Sequence, residues 1–251
     1  MLDAFARQML YPAPPVPVPS PPPLPLEEVR LDLAGGGHAI AWAFVKPELP
    51  PAAPLVVFFH GNGENLETMR WSGLFEQLGG LGAAVLAADF PGYGRSPGPP
   101  SEDGLNATGD AAVAWAREHH PDRPLVVAGW SLGAALAIAT VDRHQEHVRG
   151  LIALSPWTTL HEAAVAIFPA LAVKAMVRER YDSREAAKRI RVPALVVHGE
   201  EDDLIPAVQG EEVAAVLAGP KRWVLVRRAA HNDLLGRREV WEATEEFLTS
   251  L

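Results

Sequence analysis

Residues 126–137 read "VVAGWSLGAALA", and the reading of this stretch decides the fold. Leu125, Val126 and Val127 have the character of a buried strand, whereas Leu132 to Val141 is rich in Ala and Leu, carries no proline and suits a helix. Ser131 falls at the turn between them, inside Gly129-Trp130-Ser131-Leu132-Gly133, a G-x-S-x-G pattern. A sharp strand-to-helix turn brings the positions beside its corner into near contact, so a glycine on each side removes a clash that any Cβ would create. The serine is thereby left exposed at a sheet edge, beside a helix N-terminus whose N–H groups can stabilise a developing oxyanion. The same residues also fit an N-cap serine in an ordinary turn. The rest of the chain decides between the two.

Outward from this stretch, strand-like and helix-like segments alternate. "EVRLDL" (28–33) and "HAIAWAFV" (38–45) read as an antiparallel hairpin joined through "AGGG". "PLVVFFH" (54–60) reads as a buried strand, followed by a helix over about residues 66–79, the strand "AAVLAAD" (83–89), and a helix from about Gly104 to His120. After the serine's helix come "VRGLIALS" (148–155), helical or irregular sequence over 157–190, "PALVVHG" (193–199), a helix over 207–218, "RWVLVR" (222–227) and an amphipathic helix to Leu251. This alternation means an α/β fold with a mostly parallel sheet covered by helices on both faces, and such sheets place their chemistry at the carboxyl ends of the strands. The expected organisation is an N-terminal segment over residues 1–26, one α/β domain over 27–251, and a small lid or crossover insertion at 157–190.

A chain of 251 residues suits one large domain with a substantial core. Its net charge of −9 excludes a nucleic-acid backbone as the expected partner. The arginines between Arg178 and Arg191 alternate with acidic and apolar positions and read as a solvated helical face. With no cysteine there are no disulfides, thiolate metal sites or cysteine nucleophiles. No apolar run approaches the roughly 20 residues needed to span a bilayer, and "MLDAFARQMLYP" is too short and too interrupted for a secretory signal. A soluble, cytoplasmic protein is the expectation. From Pro12 to Pro25, nine prolines in fourteen residues force extended or polyproline II chain. This reads as a stiff strap leading into the first strand rather than as a ligand for another protein, and removing residues 1–22 is expected to lower stability more than activity.

Each strand of the parallel series ends in residues capable of chemistry: His60, Gly61, Asn62 and Gly63; Asp89 and Ser96; Asp202 and Asp203; His231 and Asp233. A serine hydroxyl is a poor nucleophile until a histidine accepts its proton, and a carboxylate on the other ring nitrogen fixes the tautomer and stabilises the imidazolium. Ser131, Asp202 and His231, each at a strand end and in the order serine, acid, histidine, form that set. Asp89 and Ser96 read as turn-shaping residues. The histidines at 119–120 and at 144 and 147 lie at helix ends, where cations complement the dipole, and neither a metal nor any other cofactor is expected.

The sequence resembles the α/β-hydrolase superfamily, particularly its Bem46-like branch of serine hydrolases, from about Tyr11 to the C-terminus. The blocks that carry the resemblance are "HGNGENL", "DFPGYGRSPGPPSEDGL", "GWSLG", "HGEEDDLIP" and "AHND", the second being the most specific. The resemblance implies Ser131 as nucleophile, Asp202 as acid and His231 as base, with the backbone N–H groups of Asn62 and Leu132 forming the oxyanion hole; His60 orients its loop. Many relatives carry a membrane-spanning helix ahead of the counterpart of "FARQMLYP", which the present sequence lacks. The reading is a cofactor-free serine hydrolase forming an acyl-enzyme from small-molecule carboxylic esters or thioesters. A peptidase of the same fold, and an interaction protein on a hydrolase scaffold, are the rivals.

Residues 157–190 are too many for a plain crossover turn, so part of the segment is expected to arch over Ser131 as a lid. Trp157, Leu160, Ile167, Phe168, Leu171 and Met176 give it an apolar face, with Trp157 and Phe168 as substrate-pocket residues. A short cap implies a short pocket, hence a preference for short to medium acyl chains that Phe168→Ala would lengthen. A packed crossover helix that never touches substrate is the alternative.

Overall fold

The computed structural model describes residues 10–14, 25–167 and 179–251. Strands β1 (Glu27–Asp32) and β2 (His38–Phe44) form the expected antiparallel hairpin, with Glu27 opposite Ala43 and Asp32 opposite His38. The parallel series follows as β3 (Leu55–Phe59), β4 (Ala84–Ala88), β5 (Leu125–Trp130), β6 (Gly150–Leu154), β7 (Ala194–Gly199) and β8 (Lys221–Val226). Among the described residues these make one eight-stranded sheet in the order β1-β2-β4-β3-β5-β6-β7-β8, with β2 antiparallel to β4 and every later pairing parallel.

Strand alternation supplies two cores. Leu55, Val57 and Phe59 join the core beneath helices α3 (Glu102–His119) and α4 (Leu132–His144), together with α6 (Ser183–Ala187) and α7 (Ala207–Val216), each defined by its own buried stripe. Val56 and Phe58 face α1 (Leu66–Trp71), α2 (Leu74–Gly80) and α8 (Arg238–Thr249) on the other side. In α8 the buried residues Val240, Ala243, Thr244, Phe247 and Leu248 recur at helical spacing, so one stripe faces the sheet. Truncating Phe247 to Ala would remove the largest of these at a cost of about 3–5 kcal/mol.

Two local expectations need correction. The single helix over 66–79 is two helices, broken at the Ser72-Gly73 pair, a dipeptide that interrupts helices. Helix α3 begins at Glu102 rather than near Gly104, because the Ser101 hydroxyl accepts from the Gly104 N–H at 3.1 Å and caps the helix earlier.

The topology places the site. After β3 the chain runs to β4 on one side, and after β5 it runs to β6 on the other, so the connections diverge and leave a crevice at the carboxyl ends of β3 and β5. Beside it, the connection between β6 and β7 carries α5 (Leu160–Ile167) and returns through Arg180 to α6. The two legs of this excursion are tied by backbone bonds from Leu160 N–H to Arg180 C=O (3.1 Å) and from Arg184 N–H to Thr158 C=O (3.1 Å).

Candidate active site

Ser131 occupies the corner between β5 and α4 with φ 56° and ψ −115°, a conformation that costs a non-glycine residue strain and persists only where its surroundings over-determine it. They do so here. A Cβ on Gly129 would come within 2.1 Å of the Gly133 carbonyl oxygen, and one on Gly133 within 2.0 Å of the Phe59 carbonyl oxygen, so both flanking positions require glycine. Backbone bonds complete the corner: Ser131 N–H donates to Leu154 C=O (2.9 Å), and Ser131 C=O accepts from Ala134 and Ala135. The Ser131 hydroxyl does not cap α4. Its Oγ lies 3.1 Å from His231 Nε2.

His231 stands in the loop between β8 and α8, which Asp233 braces by accepting from Ala230 N–H (2.8 Å) and pairing with Arg237. The other ring nitrogen, Nδ1, lies 2.8 Å from Asp202 Oδ2. A carboxylate can only accept, so Nδ1 carries the proton and Nε2 is left to receive one from Ser131. Asp202 sits in the loop after β7, where its Oδ1 accepts from Leu204 N–H (3.1 Å) and Ile205 N–H (2.8 Å). Burial by itself would raise the Asp202 carboxyl, but hydrogen bonds from His198 and His231, the His231 charge and the Ile205 N–H together hold it well below the usual carboxylate range. It therefore stays ionised beside the imidazole. The adjacent Asp203 is exposed.

The first strand end lies alongside. The Asn62 side chain is engaged away from Ser131: its Nδ2 donates to the Leu10 carbonyl (2.7 Å) and its Oδ1 accepts from the Tyr93 hydroxyl (2.5 Å). Asn62, Leu132 and Ser131 line one cleft of about 320 Å³. Glu64 clamps this loop by accepting from Gly61 N–H at 3.0 Å; desolvation raises its carboxyl above the ordinary range, partly offset by His60, the Gly61 N–H and His231. His60 is fully buried, 4.3 Å from the Phe90 ring centre, with Nδ1 2.8 Å from the Gly61 carbonyl oxygen and Nε2 3.4 Å from Asp89. Ser96 accepts from Ile40 N–H and donates to Asp89 C=O, a turn-shaping arrangement.

Of the apolar residues assigned to the lid, Trp157 and Leu160 line the cleft, joined by Ala163 and Ala164 of α5. Phe168, Leu171 and Met176 lie outside the described residues, as does the Ile167 side chain. Three features escaped the sequence reading. His198 is fully buried with Nε2 2.8 Å from the Ile205 carbonyl and 3.2 Å from Asp202 Oδ2. Trp130 sets its ring 5.2 Å from the His231 ring. Leu10, Tyr11 and Pro12, expected only as part of the N-terminal segment over residues 1–26, form part of the cleft wall. Among the described residues no group of three or more His, Cys, Asp or Glu gathers as a metal set: His144 pairs with Asp110 and His119 stacks on Trp115. No helix among them is long and apolar enough to cross a membrane.

Residues 54–176 match the family model for the α/β-hydrolase fold. A Mycobacterium tuberculosis protein described as uncharacterized is 37% identical over 202 residues, covering 79% of this chain and 70% of its own. Protein bem46 of Schizosaccharomyces pombe is 26% identical over 215 residues, covering 83% and 71%. Among solved structures, an esterase of Pyrococcus furiosus superposes with a TM-score of 0.76 at 19% identity, over 95% of this chain and 98% of that one. An acetyl xylan esterase of Paenibacillus gives 0.70 at 20% identity, over 99% and 94%. With the sheet order, the tight serine corner and these relatives in agreement, the chain belongs to the α/β-hydrolase family, in its Bem46-like branch.

Proposed function

We propose that the protein is a cofactor-free serine hydrolase that cleaves carboxylic esters or thioesters of short to medium acyl chains through an acyl-enzyme. The observation that carries this reading is the continuous chain Ser131 Oγ, His231 Nε2, His231 Nδ1, Asp202 Oδ2, with links of 3.1 and 2.8 Å. Ser131 Oγ attacks the acyl carbonyl as its proton passes to His231 Nε2, and Asp202 stabilises the resulting imidazolium. The tetrahedral oxyanion accepts from the backbone N–H groups of Asn62 and Leu132, the Asn62 side-chain amide being occupied elsewhere. Collapse breaks the bond to the leaving oxygen or sulfur, which takes the proton from His231. Water then repeats the sequence against the acyl-serine and releases the carboxylate.

Residues 157–190 act in this reading as a small lid, with Trp157 and Phe168 as substrate-pocket residues. Its tied legs and the place of Trp157 and Leu160 in the cleft support that role. The esterases among the fold neighbours are in keeping with the chemistry. A fluorophosphonate probe tests the reading: wild type is expected to be labelled at Ser131 and Ser131→Ala to be unlabelled and inactive on p-nitrophenyl acetate and butyrate while keeping its melting temperature. An unlabelled wild-type serine would overturn it.

A further inference from the structure

The proline-rich strap begins at the catalytic cleft. Leu10 is partly covered, Pro12 is exposed, Tyr11 is 4% exposed and packed into the core, and all three line the same cleft as Ser131 and His231. Three polar anchors hold residues 10–14 in place. Leu10 C=O accepts from Asn62 Nδ2 (2.7 Å), in the loop that carries the Asn62 N–H. Pro14 C=O accepts from Asn65 Nδ2 (3.3 Å), and Asn65 is also the N-cap of α1. The Tyr11 hydroxyl lies 2.8 Å from that of Tyr181, across 170 residues of sequence.

Tyr181 is the fixed return leg of the excursion between β6 and β7. Its φ of 37° is unusual for a residue with a side chain, and the surroundings impose it. Glu102 accepts from both Arg180 N–H and Tyr181 N–H at 2.8 Å, the Trp157 indole donates to Tyr181 C=O at 3.3 Å, and the two rings meet edge to face. Tyr11 therefore joins the N-terminal segment to the residue that also positions Trp157, on the opposite wall of the cleft. A chain that only led into β1 would need none of these contacts.

We infer that Leu10–Pro12 is a wall of the substrate cleft that sets how long an acyl chain the site accepts, with Tyr11 as the specificity-determining residue. The inference rests on the serine-hydrolase reading for the identity of the substrate, but not for the shape of the cleft. The Tyr11 ring closes off space that an acyl chain could otherwise enter, and each methylene that gains apolar cover there contributes about fourfold to binding. Tyr11→Ala therefore opens room for two or more further methylenes. Tyr11→Phe keeps the wall and removes the hydroxyl that pairs with Tyr181.

The full chain is assayed with p-nitrophenyl esters from acetate to laurate as wild type, Tyr11→Ala, Tyr11→Leu and Tyr11→Phe. The expected result is a kcat/KM ratio of octanoate to acetate at least tenfold higher in Tyr11→Ala, intermediate in Tyr11→Leu and within twofold of wild type in Tyr11→Phe. Tyr11→Leu keeps the test decisive if the alanine variant does not fold. In parallel, calorimetry follows straight-chain carboxylates of four to twelve carbons binding to Ser131→Ala, with and without the Tyr11 substitutions. A shift of the tightest binder toward longer chains supports the wall even if wild type neither takes the fluorophosphonate nor turns over esters, the outcome that defeats the hydrolase reading alone. An unchanged length profile in both assays, or a loss uniform across all lengths, overturns the wall and leaves the hydrolase reading intact where Ser131 is labelled.

Discussion

Of the buried histidine–aspartate pairs at the carboxyl ends of the strands, His231–Asp202 meets a serine and His60–Asp89 does not. His231 and Asp202 follow β8 and β7; His60 and Asp89 follow β3 and β4. Both histidines are at most 4% exposed. The difference lies in what each ring's two nitrogens face. His231 offers Nδ1 to a carboxylate at 2.8 Å and Nε2 to a hydroxyl at 3.1 Å, at the wall of an open cleft. His60 spends Nδ1 on the Gly61 carbonyl, stands 3.4 Å from Asp89 and wedges against Phe90, while Asp89 Oδ1 accepts from Leu66 N–H at the start of α1. The same two residue types thus make the proposed proton relay in one place and a loop brace in the other. A buried pair becomes reactive when its second nitrogen is left a partner that can give up a proton.

The sharpest way to break this contrast is to delete each ring. His231→Ala is expected to lower kcat by about 10⁴-fold or more with little change in melting temperature. His60→Ala is expected to cost about 2–4 kcal/mol in urea unfolding while the folded fraction keeps its turnover to within about tenfold. Equal activity losses with equal stabilities would erase the distinction. Next in size is the acid: Asp202→Asn is expected to lower kcat by about 10³–10⁴-fold by permitting the wrong tautomer, and the exposed neighbour Asp203→Asn to stay within twofold. Comparable losses would mean that the acid is misassigned.

Acid titration sharpens the same comparison through stability. Because Asp202 is held below its unfolded value, its contribution is present above about pH 4 and is lost as the pH falls through the folded value. Melting curves from pH 6 to pH 3 are expected to fall more steeply for wild type than for Asp202→Asn. Glu64 has the opposite sign. Its carboxyl is raised in the fold, so its stabilising share is complete below about pH 4.3 and is lost as the pH rises through the folded value. Glu64→Gln keeps an acceptor for Gly61 and is expected to raise Tm by about 1–2 °C at pH 8 and not at pH 4; the reverse ordering would place the ionised form as the stabiliser.

What could be read from the chain was whatever depends on local sequence. The turn at Ser131 announces itself because its glycines flank the corner, and the acid and the histidine follow from strand ends that end in turn-forming residues. The separation of His60 from His231 rested on a resemblance, and the contacts of His60 with Phe90 and Asp89 now give it a physical basis. Long-range contacts were not legible. Nothing in "LYPAP" indicates that Asn62 and Tyr181 hold it, since those bonds span 52 and 170 residues and the prolines argue only for extended chain. His198 reads as a core residue of β7, and its approach to Asp202 depends on how the following loop folds back. The break between α1 and α2 is written in Ser72-Gly73, although apolar residues continue on both sides of it.

Trp130, the unspecified position of the G-x-S-x-G pattern, carries a consequence for how sequences of this kind can drift. Its ring lies beside the His231 imidazole and also fills the space a side chain at residue 61 would need: a Cβ on Gly61 would meet that ring at 2.5 Å. Positions 61 and 130 are therefore coupled in descent. A lineage that keeps the indole is confined to glycine after the loop histidine, and one that shrinks residue 130 is released from that constraint while losing the plate against which the imidazole rests. Substitutions at the two positions are expected to travel together.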